Sequence, residues 1–166
     1  THRWDSLVAN GPAWHDRFPG LSFEGHSPEA FVPKNAVVEY FETYVDHIKA
    51  PVHCGVDVQD VQRNEAHGGF DVTTSEGVFQ AKNIVAATGS FQEPVIPPII
   101  PKDAGVMQMH SANYRNPEQL PHGAVLVVGA GSSGAQIAQE LMEGGRQVFL
   151  SISPHDRPPR RYRGRD

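Results

Sequence analysis

The sequence predicts an α/β fold, and three observations carry that expectation. In "AVLVVGAGSSGAQIAQEL", residues 124–141, an apolar strand runs straight into glycines at 129, 131 and 134 and then into a helical pattern. "IVAA", residues 84–87, is a continuous apolar run of the kind a parallel strand covered on both faces shows. "VPKNAVVEYFETYVDHIKA", residues 32–50, repeats its apolar residues at helical spacing. Strand, glycine turn and helix in that order make the α/β fold Rossmann-like.

The chain's 166 residues suit one ordinary domain, or one domain with a piece of a second. Hydrophobic and charged contents of 39% and 20% are globular values, which argues against a disordered chain. No apolar run approaches the ~20 residues of a membrane span, and no charged-then-apolar leader opens the sequence. A cytoplasmic setting is expected. Cys54 is the sole cysteine, so the chain cannot form an internal disulfide; it is expected as a small buried side chain on a strand. Nine histidines show no paired ligand spacing, so no metal is expected.

Charge is uneven along the chain. Residues 151–166 hold five arginines against two aspartates, a net of +3, so the rest carries −8 of the total −5. A basic end can serve nucleic acid, a small phosphorylated ligand, or only solvation.

In order along the chain, residues 1–31 are two aromatic-rich runs punctuated by Gly and Pro, and are expected as loops. The helix over 32–50 has Asn35 as its expected N-cap, Val37, Phe41, Tyr44, Val45 and Ile48 inward, and Pro51 to stop it. Four strand candidates follow: "VHCGV" and "VDVQDVQR", separate or continuous, then "FDVTTSEGVFQA" as a hairpin about "SEG", then "NIVAATG". Residues 90–123 contain six prolines, too many for a helix interior or central strand, and are expected as a linker. Beyond it come the strand "AVLVV", the helix "SSGAQIAQELMEGG" with Ile137, Leu141 and Met142 inward, and the strand "RQVFLSIS".

The glycines at 129, 131 and 134 fit G-x-G-x-x-G, each with its own reason. Gly129 turns the chain, Gly131 lets backbone approach a pyrophosphate, and Gly134 lets helix and strand pack closely. Ser132, Ser133 and Gly134 open the helix, whose unpaired N–H groups and positive dipole end suit phosphate. An NAD site places Asp or Glu at the end of the following strand; here Ser151 or Ser153 stands there, with Arg157, Arg160 and Arg161 close behind. A hydroxyl with nearby guanidinium groups suits a 2′-phosphate, which makes NADP(H) the expected cofactor and leaves nucleic acid disfavoured.

"IVAATGSFQEPVIP", "HSANYRNP" and "VVGAGSSGAQIAQEL", in this order, resemble the flavin-containing monooxygenases, bacterial relatives first and the plant YUCCA enzymes further off. "RWDSLVANGP" and "PPRRYRGRD" resemble them too, so the resemblance covers essentially the whole chain. It implies a two-dinucleotide-binding-domain flavoprotein fold, incomplete at both ends: residues 1–95 as part of an FAD-binding domain, 96–121 as the proline-rich linker, and 122–166 as the first half of an NADP(H)-binding domain. It implies that backbone at Val58 meets the adenine of FAD and that Thr88 and Gly89 close over the flavin nucleotide. His110 and Tyr114 match the ends of the family fingerprint F-x-G-x-x-x-H-x-x-x-Y, while Ala104 and Val106 replace its Phe and Gly. Asn10 matches the family's active-site asparagine.

The implied activity is oxygenation of an amine, a sulfide or a ketone by O2, FAD and NADPH through a flavin hydroperoxide. The alternatives are an NADPH-dependent flavoprotein reductase without oxygen transfer, and a non-catalytic fragment. The disulfide-reductase branch is disfavoured for want of a cysteine pair. The family's N-terminal FAD glycine motif is not in this sequence, so the chain reads as a piece that is inactive alone. A homodimer stays open.

Overall fold

The computed structural model describes residues 3–66, 68–89, 93–154 and 163–164. In chain order the elements are β1 Val8–Pro12, β2 Phe31–Pro33, α1 Lys34–Ile48, β3 Val58–Asn64, β4 Gly69–Thr74, β5 Gly77–Ala81, β6 Val125–Val128, α2 Ser132–Glu143 and β7 Val148–Ser151. A short 3-10 turn at Pro117–Gln119 precedes β6. Two compact units result, Thr1–Tyr40 with Val95–Asp166, and Phe41–Pro94.

The first unit has two apolar centres. In one, Tyr40 of α1 stacks on Phe23 and Phe18, at ring-centre distances of 3.9 Å and 5.9 Å. Its hydroxyl donates to the Leu21 carbonyl (3.1 Å) and accepts from the Phe18 amide (2.6 Å), so a buried phenol is fully used. Val32 and Ala13 complete this centre. The antiparallel pair β1–β2 lies beside it, where residues 1–31 were expected as loops and Val32 and Pro33 as the start of the helix. "VANGP" has no alternation and β2 is three residues long, so only their pairing with each other makes them strands.

Helix α1 also departs from expectation. It begins at Lys34, directly after Pro33, which places Asn35 inside the first turn and not at the N-cap. Its covered face is Ala36, Val37 and Tyr40, whereas Phe41 and Ile48 are 49% and 51% exposed. Tyr40 dominates because its ring fills the gap that the two phenylalanines leave, and the apolar stripe follows it.

The second centre joins Trp4, Tyr114, Ile137 and Leu141, with Val125 and Val127 of β6 and Val148 of β7 against it. β6 and β7 run parallel, Val125 opposite Val148 and Val128 opposite Ser151, and α2 crosses over them. Ile137 and Leu141 are inward as expected. Met142 is 62% exposed: one position past Leu141, it is turned about 100° around the helix. The proline-rich segment is fastened at its end by Arg146, whose guanidinium donates to the carbonyls of Pro121 (2.7 Å) and Leu120 (3.0 Å). Asn116 and Lys34 donate to the two oxygens of Asp5, and those bonds hold its carboxyl below the ordinary carboxylate range.

The second unit is an antiparallel sheet in the order β3–β4–β5. The hairpin about Ser75 and Glu76 forms as expected. Gly77 supplies the positive φ of 119°, and the Thr74 hydroxyl bonds across the turn to the Gly77 carbonyl. "VHCGV" is no strand, because Gly55, at φ 77°, sits in a turn at Cys54–Gly55. Cys54 is therefore exposed, contrary to the buried position expected. "NIVAATG" forms no strand and joins no sheet among the described residues, and Val85 is 87% exposed. A run buried on two faces needs a sheet to join and layers packed over both of its faces, and among the described residues it joins no sheet.

Candidate nucleotide-binding site

The site grows from the junction of β6 and α2. Gly129 adopts φ 98°, which L-residues rarely tolerate, and its amide donates to the carbonyl of Ser151 at 2.9 Å. That bond sets the end of β7, where Ser151 is exposed at the last strand position, beside the glycine turn. Gly131 is extended (φ −67°, ψ 178°) and caps α2 without any side-chain hydrogen bond to the helix. A Cβ built on Gly131 has nothing within 4 Å. Gly134 is the reverse case. A Cβ there would overlap the Gly129 carbonyl oxygen and lie 3.0 Å from its carbon, so helix and turn touch backbone to backbone.

Ser132, Ser133 and Gly134 form the first turn of α2, which carries no acidic side chain. Their amides precede the first intrahelical bond, from the Ala135 amide to the Gly131 carbonyl. The arrangement offers an anion several aligned N–H donors at the positive end of a twelve-residue helix.

Asn10 lies on β1, not in a loop, and is brought close to α2. Val8, Ala9, Asn10, Phe31 and Gln136 line an open cavity of about 340 Å³ in the same unit. Gln136 donates to the Asn10 side-chain oxygen at 3.1 Å. Sequence reading missed Gln136; a polar residue next to Ile137 on an amphipathic helix gives no local sign of a partner so far away in the chain.

His110 is half-buried and accepts the Ala112 amide at Nδ1 (3.1 Å), closing its own turn. Tyr114 is 3% exposed, and its hydroxyl donates to Glu140 of α2 at 2.6 Å. Burial, and then the bond to Glu140, push its pKa well above the ordinary tyrosine value. Tyr114 thus braces α2 from the core side.

In the second unit, Val58 opens β3 opposite Thr74 and is 61% exposed, while Thr88 and Gly89 are exposed, with Gly89 at φ 73°. Arg157, Arg160 and Arg161 lie outside the described residues. Among the described residues, no three His, Cys, Asp or Glu side chains gather into a metal-binding group, and no helix is long and apolar enough to cross a membrane.

A strand, a glycine turn of this geometry, a helix that no side chain caps and a parallel strand have the form of the dinucleotide-binding type of α/β fold. Residues 17–162 match the pyridine nucleotide-disulphide oxidoreductase family, and the chain belongs to that family. Within it the similarities run to flavin-containing-monooxygenase-like proteins. An uncharacterized CzcO-like oxidoreductase of Geobacillus kaustophilus is 42% identical over 152 residues, 91% of this chain and 42% of that protein. The probable indole-3-pyruvate monooxygenase YUCCA1 of Arabidopsis thaliana is 29% identical over 155 residues, 92% of this chain and 36% of that protein. A solved flavin-containing monooxygenase of Stenotrophomonas maltophilia superposes with a TM-score of 0.80 at 25% identity, covering 93% of this chain and 46% of that one. The chain spans less than half the length of each.

Proposed function

We propose that the chain is part of a flavin-dependent monooxygenase in which NADPH docks on the Gly129–Gly134 turn. The observation that carries the reading is Gly131. Its backbone conformation is open to any residue and no protein atom stands where a Cβ would go, so no steric demand of the fold calls for a glycine there. A ligand that needs that space does.

In this reading residues 1–95 belong to the FAD-binding part, 96–121 link, and 122–166 begin the NADP(H)-binding part. The amides of Ser132, Ser133 and Gly134 bind the pyrophosphate. Ser151 and one or more of Arg157, Arg160 and Arg161 receive the 2′-phosphate, where a carboxylate would repel it. Asn10 hydrogen-bonds at the reacting end, His110 shapes the approach to it, and Tyr114 acts from beneath α2. Val58 and the Thr88–Gly89 turn offer backbone to FAD; Gly89, lacking a Cβ at positive φ, suits close approach. A flavin held there would supply the redox chemistry, accepting reducing equivalents from NADPH and activating O2, for oxygenation of a soft nucleophile such as an amine or sulfide, or of a ketone. The protein's work is to orient these groups and exclude water. The setting is cytoplasmic.

A second reading, NADPH-dependent reduction without oxygen transfer, is favoured by Ala104 and Val106, which depart from the monooxygenase fingerprint. Products separate the two: an oxygenated substrate for the first, a reduced acceptor or hydrogen peroxide for the second. The site itself is tested with Gly131→Ala. Its melting temperature should fall by no more than a few degrees, about the loss of an N-cap glycine, and its affinity for NADPH should fall by roughly tenfold or more, about 1.4 kcal/mol. Unchanged affinity would remove the turn from the reading.

A further inference from the structure

Gln136, on the second turn of α2, makes three hydrogen bonds to β1. Its Oε1 accepts from the Val8 amide (3.4 Å), and its Nε2 donates to the Val8 carbonyl (3.3 Å) and to Oδ1 of Asn10 (3.1 Å). Chemistry allows one assignment of this set. A backbone amide only donates, so the Gln136 atom facing it is the oxygen. The amino group then faces the Val8 carbonyl, and whatever it meets on Asn10 must accept. The Asn10 atom turned toward α2 is therefore its oxygen, and its amino group lies on the opposite side of the carboxamide.

The backbone after Asn10 is pinned as well. The Gly11 amide donates to Asp16 Oδ2 at 3.0 Å, and a Cβ on Gly11 would overlap the Asp16 carboxylate. Asn10 thus sits between two clasps, one of which belongs to the helix whose first turn carries the glycine site.

We propose that Gln136 is a positioning residue for Asn10: it fixes the sense of the carboxamide, with the oxygen held toward α2 and the amino group on the side away from it. The inference rests on the reading of Asn10 as a site residue. It adds that the orientation of Asn10 is dictated from α2, the same rigid element that meets the nucleotide.

The test has two arms. In ¹⁵N-labelled protein without cofactors, the side-chain amide protons of Asn10 are identified by their loss in Asn10→Asp. Gln136→Leu should move them toward free-amide positions. Gln136→Glu, which presents a carboxylate oxygen to Asn10, should reverse the carboxamide and shift them in a different direction. An Asn10 signal unmoved in both variants overturns the proposal. In the FAD-loaded holoprotein, Gln136→Leu should lower NADPH-dependent turnover by roughly tenfold, the scale of one hydrogen bond, and should add nothing further in an Asn10→Ala background. Equal losses in the presence and absence of Asn10 also overturn it, because Gln136 would then act only on the fold. If the Asn10 signals move but Asn10→Ala leaves turnover intact, the contact stands and the assignment of Asn10 to the site fails.

Discussion

Gly134→Ala sets two effects of opposite sign against each other. Alanine is the better helix former by about 1 kcal/mol, which favours the variant. Against this, the new methyl would overlap the Gly129 carbonyl oxygen, with the carbonyl carbon at 3.0 Å and Val127 Cγ1 at 3.6 Å behind it. The obstacle is backbone, at a glycine already committed to φ 98°, and so it does not swing aside as a side chain would. Restoring ordinary contact requires α2 to move by roughly 1–1.5 Å. That motion draws Ile137 and Leu141, 7% and 0% exposed, away from β6 and β7. Overpacking of this kind costs ~1–3 kcal/mol, and partial exposure of two residues whose full burial is worth about 1.5–3 kcal/mol each adds to it. The steric loss exceeds the gain in propensity, and a net destabilisation of about 2 kcal/mol is expected. For a chain of this size that lowers the melting temperature by ~4–8 °C. Thermal unfolding followed by circular dichroism measures it. A variant as stable as the parent, or more stable, would show that α2 does not rest on the Gly129 backbone, and the close packing assigned to the third glycine would be wrong.

Tyr114→Phe should cost ~1.5–3 kcal/mol in urea unfolding, since it removes a buried bond to a carboxylate, while leaving NADPH affinity unchanged; a selective loss of affinity would return Tyr114 to the ligand. The same residue predicts an alkaline effect. Its folded pKa is raised, so the unfolded chain releases the phenolic proton first, near pH 10, and stability falls as pH rises beyond that point by up to about 1.4 kcal/mol per pH unit. Unfolding series above pH 10 should show this slope in the parent and a shallower one in Tyr114→Phe. Replacing Arg157, Arg160 and Arg161 together by alanine should erase preference for NADPH over NADH in binding titrations. A preference that survives would leave those arginines as a solvated end.

What the sequence made legible is what is local. The strand, three glycines and helix of residues 125–143 are adjacent in the chain, and the observed strand and helix, the turn at Gly129 and the close packing at Gly134 follow the expected order. The hairpin about Ser75 is readable for the same reason. β1 and β2 were not, because neither "VANGP" nor "FVP" carries a strand's pattern; they exist by pairing with each other across a stretch packed on Tyr40. "IVAA" misled in the opposite way, since its composition reports burial that requires neighbours while composition cannot supply them. The contact between Gln136 and Asn10 spans 126 positions, and no spacing rule reaches that far. Motif reading could name Asn10 and the glycine turn separately, as two items of chemistry. Only the fold brings them to one helix, because α2 opens at the glycine turn and carries, one turn later, the Gln136 side chain that bonds to Asn10. Position along α2 is therefore the physical link between the glycine turn and Asn10, and a variant that moves this helix should disturb both together.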